Sequence, residues 1–260
     1  MKAGGAAADG RSSSGQDEPI EAVLFDLGGT LFSYGGRLGG GIKGVIETVG
    51  IDAPGEVIGR AWRGAADRAG DFYGRQSYFL HRDLFRSTLL HFLEHFGHEL
   101  DEGVFAAFHE RQLKGLLDHM PLREDCRSTL VALRERGLYV GLVSNIDDDY
   151  LYPLLDRHDL LELFDHCTSS EEARSCKPDP EIFHYALGKA QRDSATTLFV
   201  GDSLHHDVAG AHQVGMRSAR IVEEGVATPL THGLEVVAEA NFEVSSLQAL
   251  IGIVDDVNSL

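Results

Sequence analysis

The chain has 260 residues, 43% of them hydrophobic, and a formal net charge of −18 at neutral pH. That length exceeds one compact unit of typical size and falls short of two full domains, so a larger α/β domain with a smaller insertion fits it. The charge argues against nucleic acid and anionic membranes as partners, and any phosphate site must build its own local positive field.

Residues 1–19 are small, polar and rich in Gly and Ser, and they predict a disordered tail. They lack the apolar run of a signal peptide, and no segment is apolar enough to span a membrane, so the chain reads as cytoplasmic. Cys126, Cys167 and Cys176 are odd in number and form no C-x-x-C pair, which reads as reduced thiols. Cys176 adjoins a lysine of interest; a packed thiol is the plainer reading than a reactive one.

Ala22-Val23-Leu24-Phe25 predicts a buried strand that ends at Asp26. Gly28-Gly29, Gly35-Gly36 and Gly39-Gly40-Gly41 then predict a backbone that turns sharply and hinges. From about residue 42 to 118, apolar residues recur at helical spacing, most clearly in 53–69, 77–96 and 102–117, and predict a separate helical bundle. After Pro121 the pattern alternates: helix 123–136 closed by Gly137, strand 138–143, helix 148–157, strand 164–168 and helix 180–190. Strand 197–200, helix 207–214, strands 218–222 and 242–244 and helix 246–255 follow. Such alternation implies right-handed crossovers and a parallel sheet, with the active site outside the carboxyl ends of the strands.

The residues after each strand are therefore the ones to weigh. The first strand is followed by Asp26-Leu27-Gly28-Gly29-Thr30-Leu31, the second by Ser144-Asn145 and the third by Lys177-Pro178-Asp179-Pro180. The fourth is followed by Gly201-Asp202-Ser203, with Asp207 five residues beyond Asp202. A carboxylate such as Asp26 can attack phosphorus and divide one hard step into two. Attack by an anion on an anion needs neutralisation. A hard divalent cation held by Asp26 and Asp202 supplies it, and Mg2+ suits an all-oxygen shell. Lys177 adds a fixed positive charge, and Ser144 and the Asn145 amide can donate to the same phosphoryl oxygens. Asp179 as N-cap and Pro180 at the first helical position fix the helix behind the lysine.

These four segments, in this order, resemble the four motifs of the haloacid dehalogenase superfamily, over the chain from about residue 20 to its end. The usual D-x-D-G-T-L reads D-L-G-G-T-L here; Val143-Ser144-Asn145, Lys177-Pro178-Asp179 and Val200-Gly201-Asp202-Ser203 with Asp207 match the other three. The resemblance implies an α/β fold: a Rossmann-like parallel sheet core at 20–34 and 119–260, with an inserted α-helical cap of the first subfamily at 35–118. It implies Asp26 as nucleophile, with metal held by Asp26, the Gly28 carbonyl, Asp202 and Asp207. Thr30, Ser144, Asn145 and Lys177 would hold the phosphoryl group, with Lys177 also catalytic. One departure stands out: the family's second motif-one aspartate, which protonates the leaving group and later activates water, is Gly28 here. The glycine keeps the metal-binding carbonyl and loses the general acid–base.

The expectation is a Mg2+-dependent phosphatase acting on a small phosphorylated metabolite, without nucleic acid or membrane partners, as a monomer or homodimer. A 2-haloacid dehalogenase is the alternative, because a halide leaves without a proton; that chemistry needs no metal, and the family's dehalogenases carry tyrosine where this chain has Gly-Gly. A catalytically impaired relative that binds a phosphorylated ligand is the other. His205 or His206 can replace the missing acid–base, although solvent-facing loop histidines are the commoner case. His91 and His95 have metal-ligand spacing but no evident third ligand. Tyr34, Arg37, Tyr78, His81 and Arg82 are cap residues that can reach substrate, with Arg37 or Arg82 suited to a second anionic group.

Overall fold

The computed structural model describes residues 18–33, 40–223 and 238–260. The expected tail up to residue 17, together with Tyr34 and Arg37, lies outside the described residues.

Six parallel strands form one sheet in the order β3-β2-β1-β4-β5-β6. They are β1 (Ala22–Phe25), β2 (Tyr139–Ser144), β3 (His166–Ser169), β4 (Thr197–Gly201), β5 (Arg217–Ile221) and β6 (Phe242–Val244). Strand alternation explains why the first run is apolar throughout. Val23 and Phe25 join one core with Val140, Leu142, Leu198 and Val200, whereas Leu24 joins the other with Val143 and Phe199. Helices cover both faces. On the first face lie α5 (Cys126–Glu135), α6 (Asp148–Arg157) and α10 (Ala249–Asn258), through Leu130, Leu151 and Leu250. On the second lie α8 (Pro180–Ala190) and α9 (Gly210–Gln213), through Phe183 and Ala211.

Four helices intervene between β1 and α5: α1 (Gly40–Val49), α2 (Gly55–Tyr73), α3 (His81–His95) and α4 (Glu102–His119). They bury an apolar cluster of their own, from Val45, Ala65, Leu89, Phe92, Leu93, Val104 and Phe108. The last of them starts on an Asp101 side chain that accepts the Val104 N–H at 2.9 Å. Outgoing and returning chains lie side by side at the root of this unit. Ser33 N–H donates to Pro121 O at 2.9 Å, and Arg123 N–H donates to Leu31 O at 2.9 Å.

Two local expectations differ from the structure. Lys177 does not directly follow β3, because a short helix α7 (Ser170–Ala173) intervenes, capped by Ser169. Four residues are too few for hydrophobic periodicity to register. The expected helix 207–214 begins earlier, as a wide π-turn over Leu204–Ala209 that runs into α9. Its cap is Ser203, which accepts the His206 N–H at 3.1 Å. No helix among the described residues is long and apolar enough to cross a membrane.

Candidate active site

The strand order reverses at β1: β2 and β4 flank it, and their chain connections run to opposite sides. The carboxyl ends of these three strands form the crevice where open α/β sheets hold ligands. Asp26 sits one residue past β1, tied to the ladder by its N–H donating to Val200 O at 2.8 Å. The residue is 7% exposed. Thr30 Oγ1 donates to one oxygen at 3.3 Å, and Ser144 Oγ donates to the other at 3.2 Å. The loop can bring Thr30 back because Gly29 takes φ 79°, a left-handed conformation costly for any other residue. Arg123 then clamps that loop, donating from Nε to Thr30 O at 2.9 Å and from Nη2 to Gly29 O at 3.0 Å. Nothing in the local sequence around Arg123 marks it for this work.

Lys177 bridges the centre. Its Nζ donates to Asp26 Oδ1 at 2.6 Å and to Asp207 Oδ1 at 2.7 Å. Burial pulls this ammonium downward, but Asp207 and Asp26 together outweigh burial and hold it above the ordinary lysine value, so it stays charged. Burial pushes Asp26 upward, with Asp207 adding to the push and Lys177 opposing it. The Asn145 carboxamide accepts the Lys177 N–H at 2.7 Å and donates to the Lys177 carbonyl at 2.9 Å. That side chain thus positions the lysine, and Asn145 also lines the cavity described below.

Asp207 folds back so that Oδ2 accepts the Ser203 N–H at 2.9 Å. Only glycine at position 201 permits this, because a Cβ there would lie 2.3 Å from Asp207 Cγ. Asp26, Asp202 and Asp207 each offer an oxygen, all within 4.8 Å of one another. Among the described residues no other group of three or more such side chains meets this test. Three hard oxygen donors on a convergent edge fit a divalent cation that prefers oxygen and keeps waters.

Above these groups opens a cavity of about 420 Å3, bordered by Gly28, Asp202 and the α2–α4 helices. His206 also lines it, and is not the solvent-facing loop residue expected. Burial, Lys177 and His205 lower its imidazole to about 4, so it is neutral at pH 7. His205 is lowered by burial. His91 and His95 form no ligand pair: His91 Nδ1 lies 3.2 Å from Glu94, and His95 meets Phe96 edge-on. His81 lines the cavity, but Arg82 is taken up by Glu171, Asp147 and Asp149. Tyr78 pairs with Arg174. All three cysteines are free and buried; burial pushes Cys126 and Cys167 up to about 12 and raises Cys176, against a reactive role.

Fold and site thus define an α/β protein with an acidic, oxygen-donor centre at the carboxyl edge of a parallel sheet. The chain belongs to the haloacid dehalogenase-like hydrolases, whose family model matches residues 20–215. It is 44% identical over 95 residues to the bovine (Bos taurus) haloacid dehalogenase-like hydrolase domain-containing protein 3, covering 36% of this chain and 38% of that protein. It is 28% identical to the ribulose-1,5-bisphosphate 5-phosphatase of Halopiger xanaduensis, covering 53% of this chain and 59% of that one. It is also 28% identical to (S)-2-haloacid dehalogenase 4A of Burkholderia cepacia, over 58% of this chain and 72% of that one. The chain therefore spans only 38% and 59% of the length of the first two relatives. Among solved structures, the magnesium-bound HAD-hydrolase YfnB from Bacillus subtilis shares the fold with a TM-score of 0.70 at 17% identity, covering 92% of this chain and all of that one.

Proposed function

We propose that this hydrolase is a Mg2+-dependent phosphatase that cleaves a small phosphate monoester through an aspartyl-phosphate on Asp26. The observation that carries this reading is a buried carboxylate aligned by Lys177, Ser144 and Thr30 and standing within 4.8 Å of Asp202 and Asp207. One Asp26 oxygen forms a bond to phosphorus while the bond to the leaving oxygen breaks. Water then attacks the aspartyl-phosphate, releasing phosphate and regenerating the carboxylate. Lys177 favours the ionised form of Asp26 against burial and presents fixed charge to the phosphoryl oxygens. Ser144 can rotate to donate to them. Asp26, Asp202, Asp207 and the Gly28 carbonyl would hold the cation, which when bound neutralises charge between nucleophile and phosphate. The helices α1–α4 act as the cap that shields the reaction from water.

The dehalogenase reading draws on Gly28, where no acid stands, and on the relatives bearing that name. The three clustered carboxylates weigh against it, since displacement of a halide needs no metal. The test is turnover of an activated acyl or aryl phosphate with Mg2+ and with chelator, beside 2-chloropropionate. Phosphate release that disappears in chelator supports the proposal. Full activity on the haloacid in chelator, without phosphate release, overturns it.

A further inference from the structure

We infer that the leaving group of the substrate is an uncharged aromatic alcohol, so that the substrate class is an aryl phosphate bearing no second anionic group. This rests on the phosphatase reading and adds the substrate class to it. The cavity wall opposite the carboxylates is apolar: Trp62, Phe85, Leu116, Met120 and Ile146. Among the described residues, Lys177 is the only lysine or arginine that lines the cavity, and it already bridges Asp26 and Asp207. A carboxylate or second phosphate on the leaving group would be stripped of water against Trp62 and Phe85, and no further lysine or arginine among the described lining residues would meet it. An aromatic ring loses nothing there and gains stacking and burial. The volume, about 420 Å3, suits a phosphoryl group with one or two rings.

Two further features sharpen the class. Tyr150 lines the same wall at 3% exposure, and its hydroxyl is buried. Gln112 also lines the cavity, and its carboxamide is a polar group that a hydroxyl or carbonyl on the ring would meet there. Second, Gly28 offers no proton to a departing oxygen. As the Asp26–phosphorus bond forms and the phosphorus–oxygen bond breaks, the electron pair must leave on that oxygen, which takes its proton from solvent afterwards. A phenolate does this readily, since a phenol ionises at about 10, against about 16 for water and comparable alcohols.

The experiment compares kcat/KM, with Mg2+, for acetyl phosphate, phenyl phosphate, benzyl phosphate and 4-carboxyphenyl phosphate. Acetyl phosphate needs neither acid nor apolar wall and reports on the phosphatase reading alone. Phenyl phosphate should exceed benzyl phosphate, and should exceed 4-carboxyphenyl phosphate by about tenfold or more although the latter has the better leaving group. Gln112→Arg should narrow or reverse the second ratio by placing a cation in the wall, and Phe85→Arg gives an independent version of that change. No turnover of acetyl phosphate would remove the phosphatase reading and this inference with it. Turnover of acetyl phosphate with 4-carboxyphenyl phosphate equal to or better than phenyl phosphate would overturn the inference and leave the phosphatase standing, as would a ratio unmoved by either arginine.

Discussion

At the level of single residues, the centre depends on one cation shared by two buried carboxylates. Asp26 and Asp207 both lie within 2.7 Å of Lys177 Nζ, and the lysine backbone is itself pinned by Asn145. Asp26→Asn preserves size and removes the proposed nucleophile; phosphate release should fall to background while far-UV circular dichroism stays unchanged. A variant with more than trace turnover would show that another group attacks. Gly28 makes a second residue-level prediction. A positioned general acid contributes roughly 10²–10⁴-fold. Without one, rates across a series of phosphate esters should fall steeply as the leaving-group pKa rises. Gly28→Asp should flatten that slope. A flat slope in the native enzyme would mean that some other group donates the proton.

Among the secondary-structure elements, the joint between the helical unit and the sheet is carried by Asp147. This residue stands at the N-cap position of α6, yet its carboxylate turns away to cap α3. It accepts the N–H groups of His81 and Arg82, each at 2.8 Å. Nearby, Cys176 N–H donates to Ser77 O at 2.7 Å and Arg82 pairs with Glu171, lashing the same stretch to the core. Asp147→Ala would leave two N–H groups without their acceptor and should destabilise by about 2–3 kcal/mol, read from denaturant midpoints. Burial alone would raise this carboxyl, but the His81 side chain and the two N–H groups outweigh it and hold it low. Its stabilisation is therefore complete above about 3.9, the unfolded value, and is lost as pH falls through the lower folded value. The gap between native and Asp147→Ala stabilities should be constant from pH 7 to 5 and shrink below 4. A gap independent of pH would mean that ionisation of Asp147 plays no part.

For the molecule as a whole, the proposed cation matters to stability as well as chemistry. The chain carries −18 overall and gathers three carboxylates at one sheet edge. A ligand that binds only the native state stabilises it by about 2.7 kcal/mol at a hundredfold excess over Kd. In a chain of this size each kcal/mol moves Tm by roughly 2–4 °C. Mg2+ should therefore raise Tm by several degrees at constant ionic strength, and Asp202→Ala should abolish most of that rise. An equal rise in the variant would assign the effect to general screening.

The elements legible in sequence were those with short-range causes. An apolar run makes β1, Asp179 and Pro180 start α8, and the glycine at 137 takes φ 75° to end α5. The order of strands and helices in turn determined a parallel sheet and brought Asp26, Ser144, Lys177, Asp202 and Asp207 to its carboxyl edge. What only the tertiary structure decided was which partner each polar group takes. Asp147 caps a helix that begins 66 residues earlier, and Asn145 spends its carboxamide on the backbone of Lys177, 32 residues later. Arg123 reaches back 93 residues to Thr30, and Trp62, Phe85, Gln112 and Tyr150 meet at one cavity from three helices and a fourth beyond them. Local preference fixes backbone conformation within a few residues. The choice among competing hydrogen-bond partners depends on distances that exist only once the sheet and the helical unit have packed together.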